Sequence, residues 1–201
     1  VKFIEKIQKK VQEKHNIALE KELQIVWEKK KNLKNCNILI VAGGWSNERE
    51  ISLKSSGDVY KCLKNNDHNV LFYDMEHDSS ADLKSFLDQN SIDLVFNLIH
   101  GEGGEDGKVQ TYLDSFNMPY CGSGASASSI SFDKYLTKKA WIDSKLITPK
   151  CEVYKSQNYN YCSEKFGSMF FIKDTRSGSS NNIYLITNND DYSSFKHEHN
   201  P

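Results

Sequence analysis

The sequence predicts an α/β fold, in which a Rossmann-like parallel sheet domain is followed by a partial α+β domain. Between residues 37 and 121, short apolar runs alternate with stretches patterned for helices. This order is typical of a parallel sheet covered on both faces. After residue 148, three apolar runs follow one another with few helical stretches between them, which favours antiparallel pairing.

The elements of the parallel sheet follow in order from residue 37. We predict strands at residues 37–42, 69–75, 93–99 and 119–121, and helices at residues 80–89 and 109–116. An earlier helix is expected to have Asn47 as its N-cap and Glu50 as its capping-box partner. Because ligands of such sheets bind where strands end in loops, we expect the site at these loops.

Three segments are predicted: residues 1–35, 36–124 and 125–201. The first contains a helical apolar pattern, a short strand and a lysine-rich linker. The last should hold strands at residues 150–154, 169–173 and 182–187, with a Ser/Gly loop at 174–181. We expect both ends to be cut, because the chain starts at Val1 rather than Met and stops at Pro201 just after a helix begins.

Composition and charge exclude several classes of protein. With 38% hydrophobic and 26% charged residues, the chain is typical of globular domains. The net charge of −1 gives no overall attraction for nucleic acid. Neither a membrane-spanning run nor a signal peptide is present, and the five cysteines form no C-x-x-C pair. We therefore expect a cytoplasmic protein with reduced thiols and no nucleic-acid or membrane partner.

The first candidate motif is GGWSNEREISLKSSG, residues 43–57. Gly43 and Gly44 follow a predicted buried strand, where glycines let backbone amides approach an anionic group. Glu48 comes at the start of the next helix, where its carboxylate could hold a substrate ammonium. The alternative is that Glu48 only complements the helix dipole.

The second motif is HGEGGEDGKVQ, residues 100–110. His100 lies at a strand end beside a glycine-rich loop, where it could donate to a carboxylate or a developing oxyanion. A purely structural histidine is the alternative. Glu102, Glu105 and Asp106 could bind a metal ion, although the sequence shows no second carboxylate cluster to support one.

Two further motifs carry cations. Lys134 follows Asp133 at the start of a helix and could reach a phosphate, although it could also be a surface lysine. Lys173 ends an apolar strand, and the loop after it contains Arg176 and Ser180. Such a loop can close over triphosphate oxygens, although it is not a Walker A loop and could be a plain mobile hairpin.

The order of these motifs resembles the D-alanine–D-alanine ligases of the ATP-grasp superfamily over about residues 37–199. The resemblance implies a cytoplasmic, often homodimeric ligase of peptidoglycan synthesis that uses ATP, Mg²⁺ and D-alanine. It implies that a central ATP-grasp domain follows the Rossmann-like domain. In this family ATP phosphorylates the carboxylate of one D-alanine, and the amine of a second attacks the acyl phosphate.

Matching positions carry the family's roles over to this chain. Glu48 resembles the residue that anchors the ammonium of the first D-alanine, and His100 the histidine near its carboxylate. Lys134 and Lys173 resemble the two lysines on the nucleotide phosphates, and Ser179 lies in the loop that closes over the reaction. Gly43 and Gly44 are expected on the substrate side, and Arg176 and Ser180 on the ATP side.

The chain also departs from the family pattern K-P-S-x-E-G-S-S-x-G. Asp174 replaces the proline, Ser177 the glutamate, and Asn181 and Asn182 stand where an apolar residue and glycine are usual. The resemblance further implies that the Mg²⁺ ligands belong to a C-terminal domain missing here. We therefore hold two hypotheses: a truncated ligase, or a non-catalytic fusion remnant that at most binds D-alanine or a partner chain.

The leading segment has a resemblance of its own. Residues 3–26 resemble the C-terminal end of UDP-N-acetylenolpyruvoylglucosamine reductase, and Glu22 falls where that family has a proton-donating glutamate. The segment is too short to bind flavin or NADPH. It therefore predicts a fusion or read-through remnant rather than a second activity.

Overall fold

The computed structural model describes residues 35–178 and 182–199 of the chain. A four-stranded parallel sheet has the order β2–β1–β3–β4, and its strands are β1 (Asn37–Gly43), β2 (Asn69–Met75), β3 (Leu94–Asn97) and β4 (Tyr120–Cys121). A separate antiparallel pair consists of β5 (Phe170–Lys173) and β6 (Ile183–Ile186). The α/β fold class predicted from the sequence is confirmed. The reductase-like segment lies outside the described residues.

Helices connect and cover these strands. In chain order they are α1 (Arg49–Lys64), α2 (Ser80–Gln89), α3 (Lys108–Ser115), α4 (Ala125–Phe132), α5 (Lys134–Asp143), α6 (Tyr159–Phe166) and α7 (Asn189–His199). Side-chain caps begin α2, α5 and α6: Ser79 caps α2, the carboxylate of Asp133 accepts from the amides of Tyr135 and Leu136 in α5, and Asn158 caps α6. No described helix combines the length and hydrophobicity that a membrane span requires.

The central strand β1 is buried on both faces, because its alternate residues enter two different apolar layers. Leu39 and Val41 pack into the layer formed with α2 and α3, which contains Met75, Leu83, Leu87, Val95, Ile99, Val109 and Leu113. Ile40 and Ala42 face the opposite layer, where Val70 and residues of α1 pack. Burial on both sides explains why the strand reads as a continuous apolar run.

The antiparallel pair packs one face on helices. Phe170 lies opposite Ile186 in the ladder, and both are buried in a cluster that includes Tyr192 and Phe195 of α7 and Cys162 of α6. On the other face Phe171 lies opposite Leu185, and both are exposed. The expected antiparallel pairing is therefore confirmed for two strands.

Two local predictions were wrong. Helix α1 begins at Arg49 with no side-chain cap, so Asn47 and Glu50 do not form the predicted capping box. Ser46 makes this turn instead: its hydroxyl accepts from the amide of Glu48 (3.1 Å), and its carbonyl accepts from the amide of Arg49 (3.2 Å).

Residues 150–154 form no strand. The side chain of Glu152 binds Tyr161 and Lys165 of α6, and Tyr154 packs against the cluster around α7. These side-chain contacts hold the segment against α6 and the cluster around α7 without strand pairing. Helix α6, which begins after its N-cap Asn158, was not predicted.

Candidate functional site

The turn after β1 requires glycine at two consecutive positions. Gly43 and Gly44 have φ values of +84° and +86°, a region that side chains disfavour. A Cβ on Gly43 would lie 2.2 Å from Asp74 Oδ1, and one on Gly44 would lie 2.6 Å from Ile99 Cγ2. The amide of Gly43 donates to Ser52 Oγ (2.9 Å) and that of Gly44 to the Met75 carbonyl (2.9 Å). Both amides are thus used to fix the turn.

This turn delivers Glu48 to the carboxyl edge of the sheet. Glu48 immediately precedes α1, and its carboxylate lies against the glycine-rich loop after β3. A Cβ on Gly101 would be only 3.0 Å from Glu48 Oε2 and 3.1 Å from Ser46 Oγ. Gly101 therefore leaves the space in which the Glu48 carboxylate sits.

His100 reaches the same edge from β3. The Ser46 hydroxyl donates to the His100 carbonyl (2.7 Å), which ties the turn after β1 to the loop after β3. The imidazole Nε2 lies 3.2 Å from Ser55 Oγ, and Nδ1 lies 3.6 Å from a carboxylate oxygen of Glu105. The Ser55 hydroxyl donates to the Ile51 carbonyl (2.5 Å), so its lone pair can accept from the histidine.

The loop at residues 174–178 arrives beside Glu48 from the second sheet. Its Gly178 is close enough that a Cβ there would be 3.8 Å from Glu48 Oε1. Lys134 binds this loop twice: its amide donates to the Thr175 carbonyl (2.9 Å) and its ammonium to the Ser177 carbonyl (2.5 Å). Lys134, which was predicted to bind a phosphate, therefore binds backbone carbonyls of this loop in the structure.

The other predicted cations lie along the same hairpin. Lys173 ends β5, and its ammonium lies 5.2 Å from the centre of the Phe171 ring. The Arg176 guanidinium lies 3.5 Å from a carboxylate oxygen of Asp106, measured from Nη2. Asp174 accepts from the Arg176 amide (2.9 Å), and its own amide donates to the Asn182 carbonyl (3.1 Å). The carboxylate that departs from the family pattern therefore organises this turn. Ser179 and Ser180 lie outside the described residues.

The carboxylates considered as metal ligands make other contacts. Glu105 faces His100, Asp106 faces Arg176, and Glu102 lies 4.0 Å from the Lys108 ammonium. Across residues 35–178 and 182–199, no group of three or more His, Cys, Asp or Glu side chains is arranged to hold a metal ion.

Three serines and one aspartate build the site in ways that the sequence did not indicate. Ser46 and Ser52 bridge the ends of β1 and β3, Ser55 contacts His100, and Asp106 holds Arg176. The only signal available was that small polar residues recur on one helix, at Ser52, Ser55 and Ser56. Their hydrogen-bond partners lie 45 or 46 positions further along the chain for Ser52 and Ser55.

Comparison with known sequences shows the family to which this chain is related. Residues 74–123 match the family described as D-ala D-ala ligase N-terminus. Over 156 residues the chain is 33% identical to the D-alanine–D-alanine ligase of Erythrobacter litoralis, which covers 78% of this chain and 47% of that enzyme. The chain belongs to the D-alanine–D-alanine ligase family. Its extent is about half the length of the curated ligases it matches.

Solved ligases of the family share the fold. The D-alanine–D-alanine ligase of Bacillus anthracis superimposes with a TM-score of 0.69 at 25% identity, over 81% of this chain and 53% of that one. The ligase from the same organism complexed with ATP gives a TM-score of 0.68 at 26% identity, over 81% and 54%. This chain therefore has the α/β fold of the D-alanine–D-alanine ligases, which is an ATP-grasp fold.

Proposed function

We propose that this chain carries the D-alanine-binding part of an ATP-dependent D-alanine–D-alanine ligase of peptidoglycan synthesis. One observation carries the proposal. Glu48 and His100 lie at the carboxyl ends of the neighbouring strands β1 and β3, and the loop at residues 174–178 arrives at the Glu48 carboxylate. A carboxylate and an imidazole at one sheet edge suit the ammonium and carboxylate of an amino acid.

In this proposal each side chain has one task at the first D-alanine. The Glu48 carboxylate holds the ammonium, and the His100 imidazole lies beside the carboxylate. Gly43 and Gly44 act through the turn that brings Glu48 to the site, since their amides already donate within the protein. Ser179 is proposed to lie on the loop side of the same substrate.

ATP would approach from the hairpin side. We assign Lys134 and Lys173 to the phosphates, with Arg176 and Ser180 as further donors. Lys134 would exchange the Ser177 carbonyl for a phosphate oxygen, and Arg176 would have to leave Asp106. The γ-phosphoryl group passes to the D-alanine carboxylate, which gives an acyl phosphate and ADP. The amine of a second D-alanine then attacks the acyl carbon, and phosphate leaves. Mg²⁺, when bound, would neutralise the transferring phosphoryl group.

The domain limits at residues 35 and 124, a cytoplasmic location and a homodimeric state belong to the same proposal. They follow from the family that the chain belongs to rather than from a contact in the structure. Light scattering behind a sizing column would measure the mass of the particle. A monomer at all protein concentrations would remove the homodimer from the proposal.

Calorimetric titration of the chain with D-alanine tests the substrate site, with L-alanine as the stereochemical control. We expect D-alanine to bind and Glu48→Gln to weaken binding at least about tenfold, because the ammonium loses its charged partner. Glu50→Gln is the matched control, since Glu50 is an exposed glutamate two residues further along the chain. Equal binding by the wild type and Glu48→Gln would remove Glu48 from the site.

Phosphate release from ATP tests the reaction separately. D-alanine-dependent release would show a competent ligase, whereas binding without release would show a chain that holds the substrate only. The assay includes Mg²⁺ in both arms, and L-alanine replaces D-alanine in the control.

A further inference from the structure

Asp106 is a buried carboxylate directed at a residue that is distant in sequence. Its side chain is 3% exposed, and it lies in the glycine-rich loop that also contains His100. One carboxylate oxygen accepts from the Lys108 amide (3.0 Å), which fixes the orientation of the group. The other faces Arg176, which follows it by 70 positions. A buried carboxylate in this position needs a cationic partner, because an unpaired charge there is unfavourable.

Arg176 is held on its other side as well. Its guanidinium lies 5.8 Å from the centre of the Phe132 ring at the end of α4. The Asp106–Arg176 pair forms part of the wall of an open cavity of about 420 Å³, which Lys108, Ala125 and Ser129 also line. The guanidinium therefore lies between Phe132 of α4 and Asp106 of the glycine-rich loop.

The loop that carries Arg176 is tied down at three consecutive residues. Thr175 and Ser177 are bound through their carbonyls by Lys134, and Arg176 is bound through its side chain by Asp106. The next residue, Gly178, lies beside the Glu48 carboxylate. The anchor at Asp106 joins this loop to the loop of His100.

We propose that Asp106 is a positioning residue that holds the loop at residues 174–178 against the Glu48 side of the substrate site. It acts through Arg176 before ATP binds, and it touches neither substrate nor reacting atoms. This inference rests on the proposed function for the identity of the substrate. The anchoring itself is a property of the chain without ligand, so it can be measured independently.

Hydrogen exchange followed by mass spectrometry measures the anchoring. Asp106→Asn keeps the acceptor for the Lys108 amide but removes the charge that Arg176 faces. We expect amides at residues 175–178 to exchange about threefold to tenfold faster in this variant, while those of α1 and α2 stay unchanged. Arg176→Ala, which breaks the same contact from the exposed side, should give the same change.

Asp78→Asn is the matched control. Asp78 also pairs with a cation at the start of α3, namely Lys108, but no described contact joins it to residues 174–178. Its replacement should leave exchange in that loop at the wild-type rate. If Asp106→Asn and Arg176→Ala also exchange at the wild-type rate in this loop, the proposal is overturned.

Titration with D-alanine separates this inference from the proposed function. If the wild type binds D-alanine, Asp106→Asn should bind about threefold to tenfold more weakly and Asp78→Asn equally well. Unchanged affinity in Asp106→Asn would overturn the positioning role and leave the D-alanine site intact. If the wild type does not bind D-alanine but loop exchange rises in Asp106→Asn, the anchoring stands and the substrate assignment fails.

Discussion

Ser52 donates a 2.6 Å hydrogen bond from its hydroxyl to the carbonyl of Leu98. The hydroxyl oxygen of Ser52 also accepts a 2.9 Å hydrogen bond from the amide of Gly43, so one fully buried side chain links the ends of β1 and β3. The two strands are neighbours in the parallel sheet, and each leads into one half of the proposed substrate site. Ser52 therefore sets the distance between the turn that carries Glu48 and the loop that carries His100.

Replacing Ser52 by alanine should destabilise the protein by about 2–3 kcal/mol, because a buried amide and a buried carbonyl both lose a partner. Urea unfolding followed by circular dichroism measures this difference in free energy. Ser56→Ala is the matched control. Ser56 is equally buried on the same helix, but its hydroxyl donates only to the Leu53 carbonyl of that helix. A loss no larger than that of Ser56→Ala would show that Ser52 does not join the strands.

The second glycine of the pair in HGEGGEDG has no room for a side chain. A Cβ on Gly104 would lie 2.0 Å from the backbone carbonyl oxygen of Ile99, which cannot move without displacing the end of β3. We expect Gly104→Ala to destabilise the chain by more than about 2 kcal/mol. Differential scanning calorimetry would show this as a lowered Tm.

Gly57→Ala is the control for the glycine prediction. Gly57 lies inside α1, and a Cβ there would meet no atom within 4 Å. Alanine should therefore stabilise the chain by about 0.5–1 kcal/mol through its helix propensity. The prediction about Gly104 fails if Gly104→Ala leaves the Tm unchanged or raises it.

Part of this site could be predicted from the sequence because it depends on local order along the chain. The apolar runs that contain Leu39 and Val95 predict strands of one parallel sheet, whose carboxyl ends lie at the same edge. The structure adds that these two strands are neighbours. Glu48 and His100 each follow such a run within a few residues. Their approach needs no knowledge of how the helices are rotated.

The remaining contacts could not be predicted, because they depend on rotation and on pairing over long separations. Only the packing of α1 on the sheet turns Ser52 toward Leu98, and only the path of the second hairpin brings Arg176 to Asp106. The start of α1 was misplaced because Asn47 is a favourable cap by residue type, whereas the helix begins without a side-chain cap after a turn made by Ser46. Its geometry depends on the tie between Ser46 and the His100 carbonyl.

A cluster of Asp78, Lys108 and Tyr112 at the start of α3 makes the free energy of unfolding depend on pH. Lys108 donates to the Asp78 carboxylate (2.8 Å) and Tyr112 donates to its other oxygen (2.6 Å). The hydrogen bond from Lys108, followed by that from Tyr112, lowers the pKa of Asp78. A carboxylate whose pKa is lower in the folded than in the unfolded state stabilises the fold at pH values above its unfolded-state pKa. This stabilisation is lost as the pH falls through the folded-state pKa.

The free-energy difference between the wild type and Asp78→Asn should therefore be up to about 1 kcal/mol at neutral pH, and should shrink below about pH 4. Urea unfolding at neutral and acidic pH measures it. Tyr112→Phe removes the weaker contact and should keep most of the pH dependence, because Lys108 still binds Asp78. A difference that stays constant across the acidic range would contradict the assignment.

The contact between Ser55 and His100 predicts an effect on substrate binding. Because the Ser55 proton goes to the Ile51 carbonyl, its oxygen accepts from the histidine Nε2 and fixes the ring. Ser55→Ala frees the ring, so we expect D-alanine to bind about threefold to tenfold more weakly by calorimetry. Ser55→Thr keeps the hydroxyl and should restore the affinity. Long-range ¹H–¹⁵N spectra of the imidazole should change in the alanine variant and not in the threonine variant. Wild-type affinity in Ser55→Ala would mean that His100 is oriented by other groups.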